Sequence, residues 1–386
     1  MRPIIYHFTN IAPLYRNRLW KTLLGSPHFE YHFCFDKKSN AGIRSIDFSQ
    51  PPYSSHPERL HDLHNIWIKQ KFLVWQQGVL GRCLSTKMDM VVLLGEFMVV
   101  SNWLAALICK VRGIKVIFRG HGMYGDEKGL KLFLRTTYYK LADYHLLYER
   151  RAKNIMVRHG FDPERLHVFF NSLDYDAHKD LRPGLMSLQK ADHFPFFTDP
   201  HLPTLLFVGR LTKVKQLDML LRAVEMLNRD TQRVNLLVIG KGEERESLES
   251  WAKEHLLSGS HHFYGPCYDE TVLSQLISLS DLCVSPGNVG LTAIHSLSFG
   301  TPVCTHSNFY KQMPEVEALE DGKTGLFFQQ NDLEDLVRKL QGWLTDHTDD
   351  RQTVRENCFA IVDTYYNPHY QEKVLKNLSE GKRPFL

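Results

Sequence analysis

Ser285–Val303, SPGNVGLTAIHSLSFGTPV, begins where an apolar run ends and finishes where a helix has to stop. The run Leu282-Cys283-Val284 meets Pro286, which cannot donate to a sheet, and then Gly287, so a strand terminates there. Gly290 permits a close backbone approach, Asn288 or Thr292 can cap, and Leu291, Ile294 and Leu297 follow at helical spacing. Gly300 suits a left-handed residue just past a helix, and Pro302 bars continuation. Strand, turn and helix in this order make one βα unit. Its helix start leaves unbonded N–H groups and a positive dipole end, which suit an anion such as a diphosphate. Every βα turn of an α/β protein shares that outline, so the neighbours must decide between an anion cradle and a plain connection.

Outward from this stretch the pattern repeats. Strands are expected at Leu205–Val208, Leu236–Ile239, His262–Tyr264, Leu282–Ser285, Val303–Thr305 and Leu326–Phe328, with helices starting near Gln216, Glu243, Glu270, Leu291 and Leu333. The first half alternates likewise, through Ile4–Phe8, Tyr31–Phe35, Met90–Leu94, Lys115–Phe118, Tyr144–Tyr148 and Val168–Phe170, with a poorly signalled stretch rich in Ser, Pro and His after the second strand. Alternation of this kind predicts α/β architecture with two Rossmann-like doubly wound domains facing a central cleft. The expected divisions are 1–181, a Pro-rich linker at 182–203, a second domain at 204–364, and a helix at 365–386 crossing back to the first domain.

Composition narrows the function. A chain of 386 residues with 43% hydrophobic and 23% charged residues can bury two ordinary cores. A formal net charge of +4 with scattered Lys and Arg speaks against nucleic-acid binding. The 7 Cys form no C-x-x-C pair and read as reduced core thiols of a cytoplasmic protein. MRPIIYHFTNIAP carries no apolar export segment, and the apolar window near Phe97–Cys109 is too short to span a bilayer. Arg16, Arg18 and Lys21 interleave with Leu14, Leu19, Trp20 and Leu23, which could lay a helix on the inner membrane surface; an ordinary amphipathic domain helix accounts for the pattern equally.

Four further segments bear on chemistry. LLFVGRLTKVK, Leu205–Lys215, is a buried strand, a turn at Gly209 and a basic run whose Arg210 and Lys215 could clamp a diphosphate. Val238-Ile239-Gly240-Lys241-Gly242 lacks the third glycine of a dinucleotide fingerprint and the acid that should follow, which speaks against a nicotinamide enzyme. Neighbouring His261 and His262 point to opposite faces of a strand and have no third ligand, so no metal site is expected. Arg119-Gly120-His121-Gly122 sets an uncrowded imidazole just past a strand, either a substrate-facing group or a surface turn.

Taken together, FVGRLTKVKQLDMLL, LLVIGKGEERESLE, HHFYGP, SDLCVSPGNVGLTAIHSLSFGTPV and EDGKTGLFF resemble the C-terminal domain of family 4 (GT-B) retaining glycosyltransferases; FRGHG, LADYHLLYE and FFNSLD carry a weaker likeness in the first half. The resemblance implies that Arg210 and Lys215 bind the donor diphosphate, that Gly265-Pro266-Cys267 lies against the nucleobase, and that His121 orients the donor sugar. It also implies that the loop and helix start at Asn288, Gly290, Leu291 and Thr292 hold sugar and phosphate. The acids of the family's E-x7-E segment are replaced here: Gly287 stands at the first and His295 at the second, where His295 can still meet a ribose hydroxyl. The family's glycine-rich loop is also missing after the first strand, and an anionic acceptor could meet Arg16 and Arg18 instead. The implied activity is transfer of a sugar from a nucleotide-sugar donor to a saccharide or lipid-linked saccharide in surface polysaccharide biosynthesis, without a metal or other cofactor. The alternatives are a non-catalytic nucleotide-sugar or saccharide-binding subunit, and a nucleotide-sugar epimerase, which would need cleft carboxylates.

Overall fold

The structure is a computed structural model that describes residues 2–37, 44–68, 73–231, 233–346 and 350–386. It divides into two units, Met1–Asp174 with Asn367–Leu386, and Tyr175–Tyr366.

The first unit contains β1 (Ile4–Phe8), α1 (Asn17–Leu24), β2 (Glu30–Phe35), β3 (Leu60–Asp62), β4 (His64–Ile68), β5 (Leu73–Gln77), α2 (Val79–Ser85), β6 (Met90–Leu94), α3 (Val100–Val111), β7 (Lys115–Gly120), α4 (Gly129–Tyr139), β8 (Tyr144–Leu147), α5 (Arg150–Arg158) and β9 (Leu166–Val168). Seven of these strands form a sheet in the order β3-β2-β1-β6-β7-β8-β9. Every pairing in it is parallel. MVVLL is continuously apolar, and KVIFRG is apolar through its Val116-Ile117-Phe118 centre, because helices cover both faces.

The second unit contains α6 (Tyr175–Leu185), α7 (Lys190–His193), β10 (Thr204–Val208), α8 (Leu217–Leu227), β11 (Asn235–Ile239), α9 (Arg245–His255), β12 (His261–Gly265), α10 (Glu270–Leu279), β13 (Leu282–Ser285), α11 (Leu291–Ser298), β14 (Val303–His306), β15 (Gly325–Phe328), α12 (Leu333–Asp346) and α13 (Arg351–Thr364). Its parallel sheet runs β12-β11-β10-β13-β14-β15. Strand order reverses beside β1 in one unit and beside β10 in the other, and the crevice at the carboxyl ends of such strands is where doubly wound sheets take ligands.

One expectation is corrected. The stretch 182–203 is not a linker but part of the second unit: it holds the end of α6 and all of α7. Its charges are paired within that unit, with Arg182 donating to Ser298 O at 2.9 Å and to Asp363 at 2.8 Å, and Lys190 2.5 Å from Asp281. As expected for the last segment, the chain returns to the first unit at Asn367, whose side chain caps α14 (Pro368–Ser379) by accepting from Tyr370 N at 2.8 Å. The apolar side of α1 lies in the unit's own core, with Leu19, Trp20 and Leu23 buried against Val374, Leu375 and Leu378 of α14, as in an ordinary amphipathic domain helix. Finally, the unassigned stretch after β2 forms an antiparallel hairpin, β4–β5, besides the edge strand β3. No helix among the described residues is long and apolar enough to cross a membrane.

Candidate functional site

In the second unit the basic loop after β10 and the loop before α11 are packed against each other. Lys215 Nζ donates to the main-chain oxygen of Asn288 at 2.6 Å and to its side-chain oxygen at 2.8 Å. Gly287 N in turn donates to Lys215 O at 3.0 Å. The approach is so close that a Cβ on Gly287 would lie 2.0 Å from Val214 O. The space a side chain at 287 would need is therefore filled by another loop's backbone, and only glycine fits.

The same logic explains the Gly-x-Gly turn after β11. A Cβ on Gly240 would meet Gly209 O at 1.8 Å, so this turn is shaped by packing. Thr292, in the first turn of α11, donates from Oγ1 to Val208 O at 3.1 Å and ties the helix start to the end of β10. Gly290 precedes the helix, Leu291 and Thr292 are half-buried, and Val289 N donates to buried Gln312 at 2.8 Å. Arg210 is exposed beside this assembly. Burial, and then the charge of Arg210, lower the Lys215 pKa, while buried Glu315 opposes them. A cationic loop and a helix N-terminus thus converge on one locus, an arrangement suited to phosphate oxygens. Gly265, Pro266 and Cys267 follow β12 at its carboxyl end, with Gly265 buried and Pro266 exposed.

His295 does not stand open. Its Nε2 lies 2.5 Å from Glu270 Oε1, and His178 Nε2 lies 3.0 Å from the same oxygen. The two imidazoles stack at 5.1 Å between centroids, with Phe299 against both. Burial would raise the Glu270 pKa, but hydrogen bonds from His178 and His295 and their charge outweigh it and hold the carboxyl well below its ordinary range. One ligand atom from each of the three residues lies within 4.8 Å of the others, so this trio could also hold a metal ion. Sequence spacing missed it because 178, 270 and 295 sit on three different helices, α6, α10 and α11.

In the first unit a cavity of about 250 Å³ opens at the carboxyl ends of β1, β6, β7 and β8. Arg16 and His121, both singled out by sequence, line it; Arg18 does not. His121 stands edge-on to Tyr148 at 5.1 Å, and burial followed by the charges of Arg16 and Arg135 lowers its pKa to about 4. The imidazole is therefore neutral near pH 7 and can donate and accept at once. Arg119 and Arg135 also line the cavity and went unassigned from sequence. The signal was there for Arg119, an arginine closing the buried run Val116-Ile117-Phe118.

Residues 189–359, which lie within the second unit, match the family profile described as Glycosyl transferases group 1. A D-inositol 3-phosphate glycosyltransferase 2 of Catenulispora acidiphila is 28% identical over 208 residues, covering 51% of this chain and 46% of that protein. An uncharacterized glycosyltransferase of Haemophilus influenzae is 29% identical over 138 residues, 36% of this chain and 38% of that one. The chain thus spans less than half the length of these curated relatives. Among solved structures, HepE of Anabaena in complex with UDP superposes with a TM-score of 0.67 at 13% identity, covering 98% of this chain and 100% of that one. A glycosyltransferase of Rickettsia africae gives 0.67 at 16% identity and 98% coverage of both. These likenesses establish the fold class, two Rossmann-like α/β domains of the GT-B type.

Proposed function

We propose that this chain is a glycosyltransferase, moving a sugar with retention from a nucleotide-sugar donor to a saccharide or lipid-linked saccharide acceptor in surface polysaccharide assembly. The observation that supports it is the joining of Lys215 to Asn288 at the start of α11, with Arg210 exposed beside them, inside a glycosyltransferase group 1 domain. In such a transfer the enzyme must stabilise the departing diphosphate and hold an acceptor hydroxyl against a cationic sugar. Arg210, Lys215 and the N–H groups of Gly290, Leu291 and Thr292 supply the first term. Asn288 and His121 are assigned to the donor sugar, and the ribose contact to His295 together with Glu270, whose ionised carboxyl can accept from hydroxyls. Gly265, Pro266 and Cys267 are assigned to the nucleobase. The test is release of nucleoside diphosphate from a panel of nucleotide sugars, with and without saccharide acceptors. Acceptor-dependent release supports transfer, and its absence with every donor overturns it.

A second reading rests on a specific observation. Gly287 can carry no side chain and His295 is occupied by Glu270, so the segment that holds two acids in the resembled family holds none here. A non-catalytic subunit would bind a nucleotide sugar, seen as a rise in melting temperature, and leave it intact.

A further inference from the structure

The cavity of the first unit holds more positive charge than its own acids answer. Arg135 is already committed: its Nε lies 3.2 Å from Glu127, and it donates to Gly122 O at 3.0 Å. Glu96, which also lines the cavity, exerts its charge on that same Arg135.

Arg119 has no such partner. It is 3% exposed, at the carboxyl end of β7, and two of its nitrogens, Nε and one terminal NH2, are buried without any hydrogen-bond acceptor. Its guanidinium is fixed between the faces of Tyr148 at 5.6 Å and Phe169 at 5.1 Å. Those rings steady the charge but accept none of its N–H bonds. The charged groups acting on it are tyrosines and Arg16, with no carboxylate among them. His7, next to it and fully enclosed, likewise has both ring nitrogens without a partner.

Burying a guanidinium without an anion is costly, and folded proteins almost always pair such groups. Here the unanswered cation faces a cavity at the point where the strand order of the sheet reverses. We propose that this cavity is an oxyanion site, in which Arg119 binds a phosphate or carboxylate group of a substrate, with Arg16 supplying a second cation and His121 a neutral donor. Arg16 reaches it from the loop after β1, where its NH2 donates to Tyr148 OH at 3.0 Å. Arg119 brings to the cavity wall a planar guanidinium, the group suited to bidentate contact with an oxyanion. The anion belongs either to the acceptor or to the donor's diphosphate. That assignment rests on the transferase reading, whereas anion binding itself does not.

Thermal melting of the full chain in an oxyanion-free buffer, with inorganic phosphate as the probe, tests the site without any turnover. Lys215→Ala serves as the background, so that phosphate held by the second unit does not contribute. Phosphate should raise the melting temperature of this protein, and Arg119→Gln added to it should abolish the rise beyond an equal-ionic-strength chloride control. Phosphate 31P line broadening should disappear in parallel, and Arg16→Gln, at a half-buried position, should weaken binding about tenfold. Because Arg119→Gln removes an unpaired buried charge, it should melt no lower than its parent without phosphate. Persistence of the full phosphate response in Arg119→Gln, or its absence in the Lys215→Ala parent, overturns the site. Kinetics then identify the source: Arg119→Gln raises the KM of the acceptor if the anion is the acceptor's, and that of the donor if it is the diphosphate. A fall in kcat with neither KM moved also overturns the proposal. Phosphate binding by a protein that turns over no donor would leave this site standing and remove the transferase reading.

Discussion

Lys215 Nζ is held at 2.6 and 2.8 Å by the two oxygens of Asn288, so the ammonium is aimed before any ligand arrives. A preset cation loses less entropy on binding than one on a mobile stem. Lys215→Ala and Arg210→Ala should each weaken nucleoside diphosphate binding by about 1.5–3 kcal/mol, the worth of one charge-assisted bond, and abolish transfer. Asn288→Ala should give a smaller loss, because the main-chain oxygen still holds the ammonium. Titration calorimetry with free nucleoside diphosphate decides this, and undiminished affinity in Lys215→Ala would remove the clamp.

Gly287 and Gly290 look interchangeable in the sequence, yet the structure separates them. A Cβ at 287 would lie 2.0 Å from Val214 O, whereas one at 290 would meet nothing closer than Met313 Cγ at 3.6 Å. Gly287→Ala should therefore cost roughly 1–3 kcal/mol or more through displaced backbone, and Gly290→Ala little. Chemical denaturation of the two variants should show that contrast. Gly287→Glu fails for the same steric reason, so restoring the acid there cannot rescue a function.

The βα pattern of the second unit is legible because its strands are buried on both faces and bounded by Gly and Pro, as in Leu282–Ser285 before Pro286. The β4–β5 hairpin is not, because its polarity is inverted. Asn65 and Gln76 point inward, where Asn65 Nδ2 donates to Asn10 O at 2.7 Å and Gln76 Nε2 to Thr9 O at 3.1 Å, while Ile66 and Trp67 are exposed. Gly287 read as a lost acid and is a packing requirement. Arg16 and His121 were legible as site residues, Arg119 was signalled only by its place at the end of the run Val116-Ile117-Phe118, and the His178–Glu270–His295 trio exists only after three helices meet.

That trio makes a pH-dependent contribution of defined sign. The folded pKa of Glu270 is held below its ordinary 4.5, so the folded state binds fewer protons there than the unfolded chain. Its stabilisation is fully present above about pH 4.5 and is lost as the pH falls towards the depressed folded value. Glu270→Gln should thus melt below wild type at pH 7, with the gap closing under acid conditions. His295→Glu places a second carboxylate against Glu270 and should destabilise the chain at neutral pH more than His295→Gln does. A gap between wild type and Glu270→Gln that widens on acidification would contradict this account.

Buried histidines make the first unit sensitive at milder acidity. Burial is the leading cause that lowers His121 and His167 to about 4 and His145 to about 3, from an ordinary 6.5. In the unfolded chain these rings take protons as the pH drops through 6.5, while in the folded chain they stay neutral until about pH 4. Stability from each is therefore complete above about pH 6.5 and declines below it, by at most about 1.4 kcal/mol per pH unit for a fully buried ring. Hydrogen exchange at β7 and β8, corrected for intrinsic rates, resolves this unit from the other and should report falling protection between pH 6.5 and 5. Replacing buried His145 or His167 by Gln should flatten that slope. His121→Ala, by contrast, should act on catalysis, lowering kcat far more than donor affinity, because its neutral ring is assigned to the reacting sugar and not to the nucleotide. Turnover within a few-fold of wild type would reduce His121 to a turn residue at the cavity wall.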